Sequence, residues 1–261
     1  IIILLFLLPT ILFFGYKKNF KISIFLISLL LFFTNYFIGF LSLKNYELTE
    51  NKNLGFIIKI ISPNVNINRF FINENPEKLI SELIDISDPN PQNETVFILP
   101  EGILSNIYFE DLKKFKNLFS NSFSKKHKII LGMNIYENKK IYNSLLVLDN
   151  ELNILGKYYK NKLVPFGEFL PFEKYLTIFG LKKITPGYSS FSSGKGDSVA
   201  ILNFGTTNFS LLTLICYEII FPNLVEKNLN RFNFILNISE DAWFGESIGP
   251  FQHFAKSIFR S

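Results

Sequence analysis

The sequence predicts an α/β domain preceded by transmembrane helices, and three observations carry that expectation. Residues 22–43 contain no charged side chain. From residue 55 onward, short apolar strands alternate with amphipathic helices, with hairpins mixed in. Aromatics make up 16% of the 261 residues, and much of the apolar excess falls in the first 43 positions.

At about 1.5 Å per residue, 22–43 spans roughly 33 Å as a helix, enough for a hydrocarbon core of about 30 Å. Residues 1–14 form a second apolar run with no basic segment before it. A cleaved signal peptide therefore fits poorly, and the chain is expected to begin inside a transmembrane helix. Residues 15–21 would be a hairpin between two spans. Lys17, Lys18 and Lys21 place that hairpin on the cytoplasmic side and send residue 43 out on the far side; Lys44 and Lys52 there weaken the contrast. The expected organisation is transmembrane segments over 1–43, a linker over 44–54 and an α/β domain over 55–261.

Within 55–261, strands are expected at 56–61, 95–99, 128–132, 142–148, 152–156, 199–204, 209–215 and 234–237. Helices are expected at 74–87, 109–123 and 219–229. The first presents Leu79, Ile80, Leu83, Ile84 and Ile86; the second aligns Phe109, Leu112, Phe115, Leu118, Phe119 and Phe123. Asp149-Asn150 reads as a turn, and 161–171, with two prolines, as a loop. This pattern predicts helices packed outside mixed sheets.

The net charge is +5, with lysines scattered among Asp and Glu and no sustained basic face. No nucleic-acid partner is expected. The single cysteine, Cys216, excludes an intrachain disulfide. His127 and His253 are far apart and no Cys/His cluster has zinc spacing, so neither metal nor cofactor is expected.

Three candidate residues lie at or just past the C-terminal ends of buried strands, the edge where α/β sheets gather reactive groups. Cys216 stands at a strand-to-helix turn. Free N–H groups and the positive helix end there would favour thiolate and help hold an oxyanion. A buried inert thiol explains a lone cysteine as well. Glu101, in Leu99-Pro100-Glu101-Gly102, suits a general base that takes the thiol proton, although a helix cap or an ion pair would account for it equally. Lys160 suits an ammonium beside the oxyanion, with Lys157 and Lys162 as rivals by composition and a solvated surface lysine as the plain alternative. Glu168 could accept a hydrogen bond from Lys160 or simply form a loop ion pair. A Cys216 pair with His253 or His127 stays open, with His253 placed near a helix start.

These segments resemble the carbon–nitrogen hydrolase (nitrilase) superfamily, and within it the apolipoprotein N-acyltransferase branch. The carrying segments are Leu99-Pro100-Glu101, Tyr142-Asn143-Ser144, the run 159–171, Ile215-Cys216-Tyr217-Glu218, Asp241-Ala242-Trp243-Phe244-Gly245 and Gly249-Pro250-Phe251-Gln252-His253. The resemblance implies a four-layer α-β-β-α sandwich behind a multi-span membrane domain. It implies a Glu-Lys-Cys triad at Glu101, Lys160 and Cys216, Lys160 being chosen because the family lysine stands three residues before the leucine matched by Leu163. Glu168, Tyr217 and Glu218 would shape the site, with Trp243 and Phe244 near it. The implied reaction moves a phospholipid acyl chain to the cysteine and then to the amino group of a diacylglyceryl-modified apolipoprotein. The implied setting is a multi-pass protein of the bacterial inner membrane, with its catalytic domain on the periplasmic side. A monomer is expected. The alternative is a carbon–nitrogen hydrolase acting on a small amide, with water as acceptor.

Three departures from the family pattern stand out. Glu240 occupies a position where Asn is expected, 62–71 matches only loosely, and the chain stops at Arg260-Ser261 within an expected helix. The sequence therefore reads as incomplete at both ends. Phe166, Phe169, Phe172 and Tyr175 are further candidates to line an acyl channel or rest at the bilayer interface, against plain core packing.

Overall fold

The protein is described by a computed structural model over residues 17–46, 55–63, 75–104, 107–176, 178, 190–196, 199–204, 207–228 and 230–260. Two compact units divide it, Ile1–Asn53 and Leu54–Ser261. The apolar run 1–14 and residues 15 and 16 of the expected hairpin fall outside the described residues; residues 18–21 of that expected hairpin are helical instead.

In the first unit, helix α1 runs over Lys18–Tyr46. It begins inside the expected hairpin and continues into the expected linker. Its stretch Lys18–Ser42 is long and apolar enough to cross a membrane. Large apolar side chains such as Leu29, Leu30, Leu31 and Phe32 are exposed around its circumference. Such a helix lacks the polar face that would suit water. Three of its hydroxyls are satisfied internally: Ser23, Ser28 and Thr34 each donate to the carbonyl four residues back.

The second unit holds two sheets. The first contains β1 (Ile57–Ile60), β2 (Thr95–Ile98), β3 (His127–Glu137), β4 (Lys140–Leu148) and β5 (Ile154–Tyr159), in that spatial order. β1, β2 and β3 are parallel, and β4 and β5 follow as antiparallel neighbours. The second sheet contains β6 (Val199–Phe204), β7 (Thr207–Ile215) and β8 (Phe234–Ile238), with β7 parallel to β8.

Strand alternation sorts the core into layers. Ile129, Leu131, Leu146 and Leu148 face α2 (Pro76–Ser87), α3 (Phe109–Leu112) and α4 (Lys116–Ser122). Ile130, Leu145 and Val147 point the other way and meet Leu211, Ile215 and Ile238 of the second sheet. Leu212 and Leu214, on the outer face of that sheet, pack on Ile219 and Val225. Sheet therefore packs on sheet, with helical segments outside both.

Several sequence expectations need correction. The strands expected at 128–132 and 142–148 are one long hairpin, β3 and β4, turned by Asn138 and Lys139 at φ 51° and 61°. The expected helix 109–123 is interrupted by a 3₁₀ turn over Lys113–Phe115. Its apolar residues Phe109, Leu112, Phe115 and Leu118 repeat every third position, which suits the 3₁₀ period as well as an α-helical face. The expected helix 219–229 is instead a 3₁₀ turn, Cys216–Ile220, followed by α6 (Pro222–Glu226). Pro222 forces Phe221 into an extended conformation, φ −91° and ψ 103°, and so divides the segment. β5 starts two residues later and ends three residues later than the expected strand, stopping directly before Lys160. A short helix, α5 (Glu173–Leu176), follows the 161–171 loop.

Candidate active site

The first sheet delivers an acid and a cation. Glu101 sits in the turn after β2, and Gly132 on β3 makes room for it. A Cβ at Gly132 would stand 2.5 Å from the Glu101 Cα and 2.7 Å from the Pro100 carbonyl oxygen. Lys160 follows β5, with its backbone N–H donating to the Asn143 carbonyl at 2.9 Å. Its side chain is 1% exposed, so its ammonium must find all its partners inside the protein. It donates to Glu101 Oε1 at 3.2 Å and to Glu168 Oε1 at 2.9 Å. Burial works against its charge, but Glu101 foremost, then Glu168 and Cys216, hold it above the usual lysine range.

Asn143 on β4 donates from one amide nitrogen to both carboxylates, at 2.7 Å to Glu101 and 2.8 Å to Glu168. Glu168 Oε2 also accepts the Val164 N–H, fixing the Pro165-to-Phe169 loop over the site. Of the two rival lysines, Lys157 pairs with Glu137 at 3.7 Å and Lys162 lies over the Phe221 ring. Only Lys160 joins the two carboxylates.

The second sheet delivers the thiol. Cys216 directly follows β7 and adopts φ 51°, the left-handed region that non-glycine residues seldom occupy. Glu218, fully buried, holds this turn to the lysine loop. It accepts from the Ile215, Asn161 and Lys162 N–H groups and from the Tyr158 hydroxyl. Burial raises the Glu218 carboxyl despite those donors. Burial and the Glu101 charge push the Cys216 thiol up to about 12, against the opposing pull of Lys160. This overturns the expectation of a thiolate favoured by a helix end: the helical segment is a five-residue 3₁₀ turn, and a buried carboxylate sits nearby. At neutral pH the thiol therefore needs a base.

The segment after β8 closes the site. The Glu240 N–H donates to Glu101 Oε2 at 3.2 Å. The residue that departs from the family pattern thus reaches the acid through its backbone, which an Asn would supply equally. Its carboxylate caps the next turn by accepting from the Ala242 N–H. Trp243 and Phe244 belong to that 3₁₀ turn and are half-exposed. Tyr217 packs edge-on against Phe221 and, with Lys162, Pro165 and Phe169, lines an open cavity of about 500 Å³. Phe172 and Tyr175 are exposed.

His253 lies mid-helix in α7 (Gly249–Ile258), not at a helix start, and is buried. His127 is buried elsewhere, bonded to Asn90 and Ser124. The atoms of Cys216, Asp241 and His253 that can ligate a metal come within 4.8 Å of one another. Both His253 ring nitrogens are already engaged, however, at 2.9 Å to Asp241 Oδ1 and 3.0 Å to the Cys216 carbonyl. Each ring nitrogen is thus engaged with a protein oxygen rather than open to a metal. Sequence reasoning missed Asn143 and Tyr158 as site residues and Asp241 as the partner of His253. Asn143, Asp241 and His253 all lie in segments that carry the family resemblance, which was the signal available.

Fold and site together define a layered α/β enzyme class in which a buried acid–ammonium pair faces a thiol across two sheets. The carbon-nitrogen hydrolase family model matches residues 110–257, and the chain belongs to that family. An apolipoprotein N-acyltransferase of Rickettsia prowazekii is 33% identical over 188 residues, covering 70% of this chain and 35% of the relative. One from Allorhizobium ampelinum is 29% identical over 262 residues, covering 95% and 47%. The chain thus spans between about a third and a half of the length of these relatives. Among solved structures, a carbon-nitrogen hydrolase from Helicobacter pylori G27 aligns with a TM-score of 0.46 at 14% identity, covering 78% of this chain and 67% of that one.

Proposed function

We propose that this chain is the catalytic part of an apolipoprotein N-acyltransferase, with Glu101, Lys160 and Cys216 as its catalytic residues. The observation that carries the reading is the fully buried Lys160 ammonium, wedged between two carboxylates and electrostatically coupled to the Cys216 thiol. The names of the relatives supply the substrate class. Two packed sheets with helical segments outside them support the four-layer α-β-β-α sandwich.

Glu101 takes the thiol proton as sulfur attacks the ester carbonyl of a phospholipid. The carbonyl π pair moves onto oxygen, where Lys160 and the Tyr217 N–H meet the developing charge. Collapse expels the lysophospholipid alkoxide, Glu101 returns the proton to it, and a Cys216 thioester remains. The amino group of a diacylglyceryl-cysteine then attacks the thioester. Glu101 accepts the ammonium proton and passes it to the departing thiolate, leaving an amide and the free thiol.

Glu168 and Glu218 shape the loop that carries Lys160, and Tyr217 lines the approach. The cavity beside Tyr217 suits an acyl chain, with Trp243, Phe244, Phe172 and Tyr175 toward the lipid. Helix α1 supports membrane attachment, and the setting we propose with it is a multi-pass inner-membrane protein whose catalytic domain is periplasmic.

The test supplies the protein in phospholipid vesicles with a synthetic diacylglyceryl-cysteine peptide. Acyl transfer to the peptide's amine is the expected result. Ammonia released from soluble amides, with phospholipid untouched, would replace this reading with an amidase.

A further inference from the structure

The two ring nitrogens of His253 face acceptors only. Asp241 Oδ1 lies 2.9 Å from Nδ1, and the Cys216 carbonyl oxygen lies 3.0 Å from Nε2. A neutral imidazole carries one N–H and could make only one of these bonds, its other nitrogen setting a lone pair against an oxygen lone pair. Both bonds form together only when the ring is an imidazolium. The surroundings favour that state. The hydrogen bond to Asp241 is the main cause raising the His253 pKa, and Glu101 adds to it, while burial opposes. The charged and titratable groups facing the ring are Asp241 from the turn after β8, Glu101 from the turn after β2, and Cys216 at the end of β7.

The Cys216 carbonyl is half of a planar unit whose other half is the Tyr217 N–H. In a trans peptide the two point in opposite directions. Here the carbonyl points to His253 and the N–H points to the Cys216 sulfur. Cys216 occupies the left-handed region, φ 51°, where its backbone needs outside support.

We propose that His253, held as an imidazolium by Asp241, is a positioning residue that grips the Cys216 carbonyl and so aims the Tyr217 N–H at the oxyanion. A cation on the carbonyl also polarises the peptide and strengthens its N–H as a donor. The inference rests on the acyl-transfer reading for the identity of the oxyanion.

Two reagents separate the aim of the N–H from the reactivity of the thiol. A p-nitrophenyl ester of a short fatty acid acylates Cys216 through an oxyanion and releases p-nitrophenol. Iodoacetamide alkylates the same sulfur by direct displacement of iodide, with no oxyanion. Loss of one oxyanion donor costs about 10²–10³ in rate, so misaiming one in His253→Ala should slow acylation by about 10- to 100-fold. Alkylation should change by less than about threefold, because the nucleophile itself is intact. His253→Gln, which keeps an N–H donor near the Nε2 position, should recover most of the acylation rate.

Acylation at the parent rate in His253→Ala would overturn the proposal, as would alkylation falling in step with acylation. Nitrogen NMR of the parent protein should find both His253 ring nitrogens protonated at neutral pH. An unprotonated Nε2 would sink the clamp even if no variant folds, and an unprotonated Nδ1 would sink the imidazolium. A parent protein that forms no thioester at all would instead defeat the acyl-transfer reading, leaving the NMR result to decide the clamp.

Discussion

The two sheets contribute to the site in different ways. On the rim of the first, Glu101, Lys160, Glu168 and Asn143 form one hydrogen-bonded cluster in which every charge is another's partner. On the rim of the second, Cys216 is a single neutral thiol on a strained backbone, held in place from outside by Glu218 and His253. Function and stability are therefore tied together in the first rim and separable in the second. A charge removed from a buried cluster strands its partners. A thiol removed from a held backbone leaves the backbone held.

The sharpest way to break this contrast is Cys216→Ala, which should abolish acyl-enzyme formation while changing unfolding free energy by only about 1 kcal/mol. Acylation assays and urea denaturation read the two halves. Next, Lys160→Met should lower acylation by about 10²–10³ through loss of the oxyanion charge. It should also cost about 3–5 kcal/mol, because two buried carboxylates lose their cation. A Lys160 variant as stable as the parent would dissolve the distinction between the rims. Gly132→Ala should fall between these. The new Cβ meets backbone at Glu101 and Pro100, which cannot yield cheaply. A cost of about 1–3 kcal/mol is expected from overpacking, with acylation falling as Glu101 is displaced.

The smallest effect concerns the Asp241–His253 pair. The His253 pKa is raised on folding, so its contribution is fully present below about 6.5 and is lost as pH rises through the folded value. Asp241 is lowered by His253 and Ser239 despite its partial burial. Its contribution is present above about 3.8 and is lost as pH falls through the folded value. The stability gap between parent and Asp241→Asn should therefore be widest between about pH 4 and 6.5, and only about 1 kcal/mol, because Asp241 is one-third exposed and screened. Urea midpoints across pH check it. A gap that widens above pH 8 would have the wrong sign.

The same contrast governs what the sequence made legible. Residues placed by strand order could be located, since Cys216 directly follows an apolar run and Glu101 follows one across Pro100, but their expected roles, and the choice of Lys160 by its spacing from Leu163, came from the family resemblance. Residues placed by contact across elements could not be located that way. Asn143 is a polar residue in a buried strand, and nothing local says that it bridges two carboxylates that follow it and precede it by tens of residues or a long loop. The β3–β4 hairpin was hidden because its turn is Asn138-Lys139, and lysine at positive φ is no turn signal. The split of the 219–229 segment was available in principle, since Pro222 disfavours helix at the residue before it. The depressed thiol expected for Cys216 failed because burial and the Glu101 charge, both tertiary effects, outweigh a short helical turn.

The central claim is that the Cys216 sulfur carries the acyl group. Peptide mass spectrometry of the protein quenched during incubation with phospholipid tests it most directly. The account predicts a mass gain of one fatty acyl chain on the peptide containing Cys216, discharged when a diacylglyceryl-cysteine peptide is added. An acyl adduct on any other side chain, or product formed by Cys216→Ala at the parent rate, would contradict it.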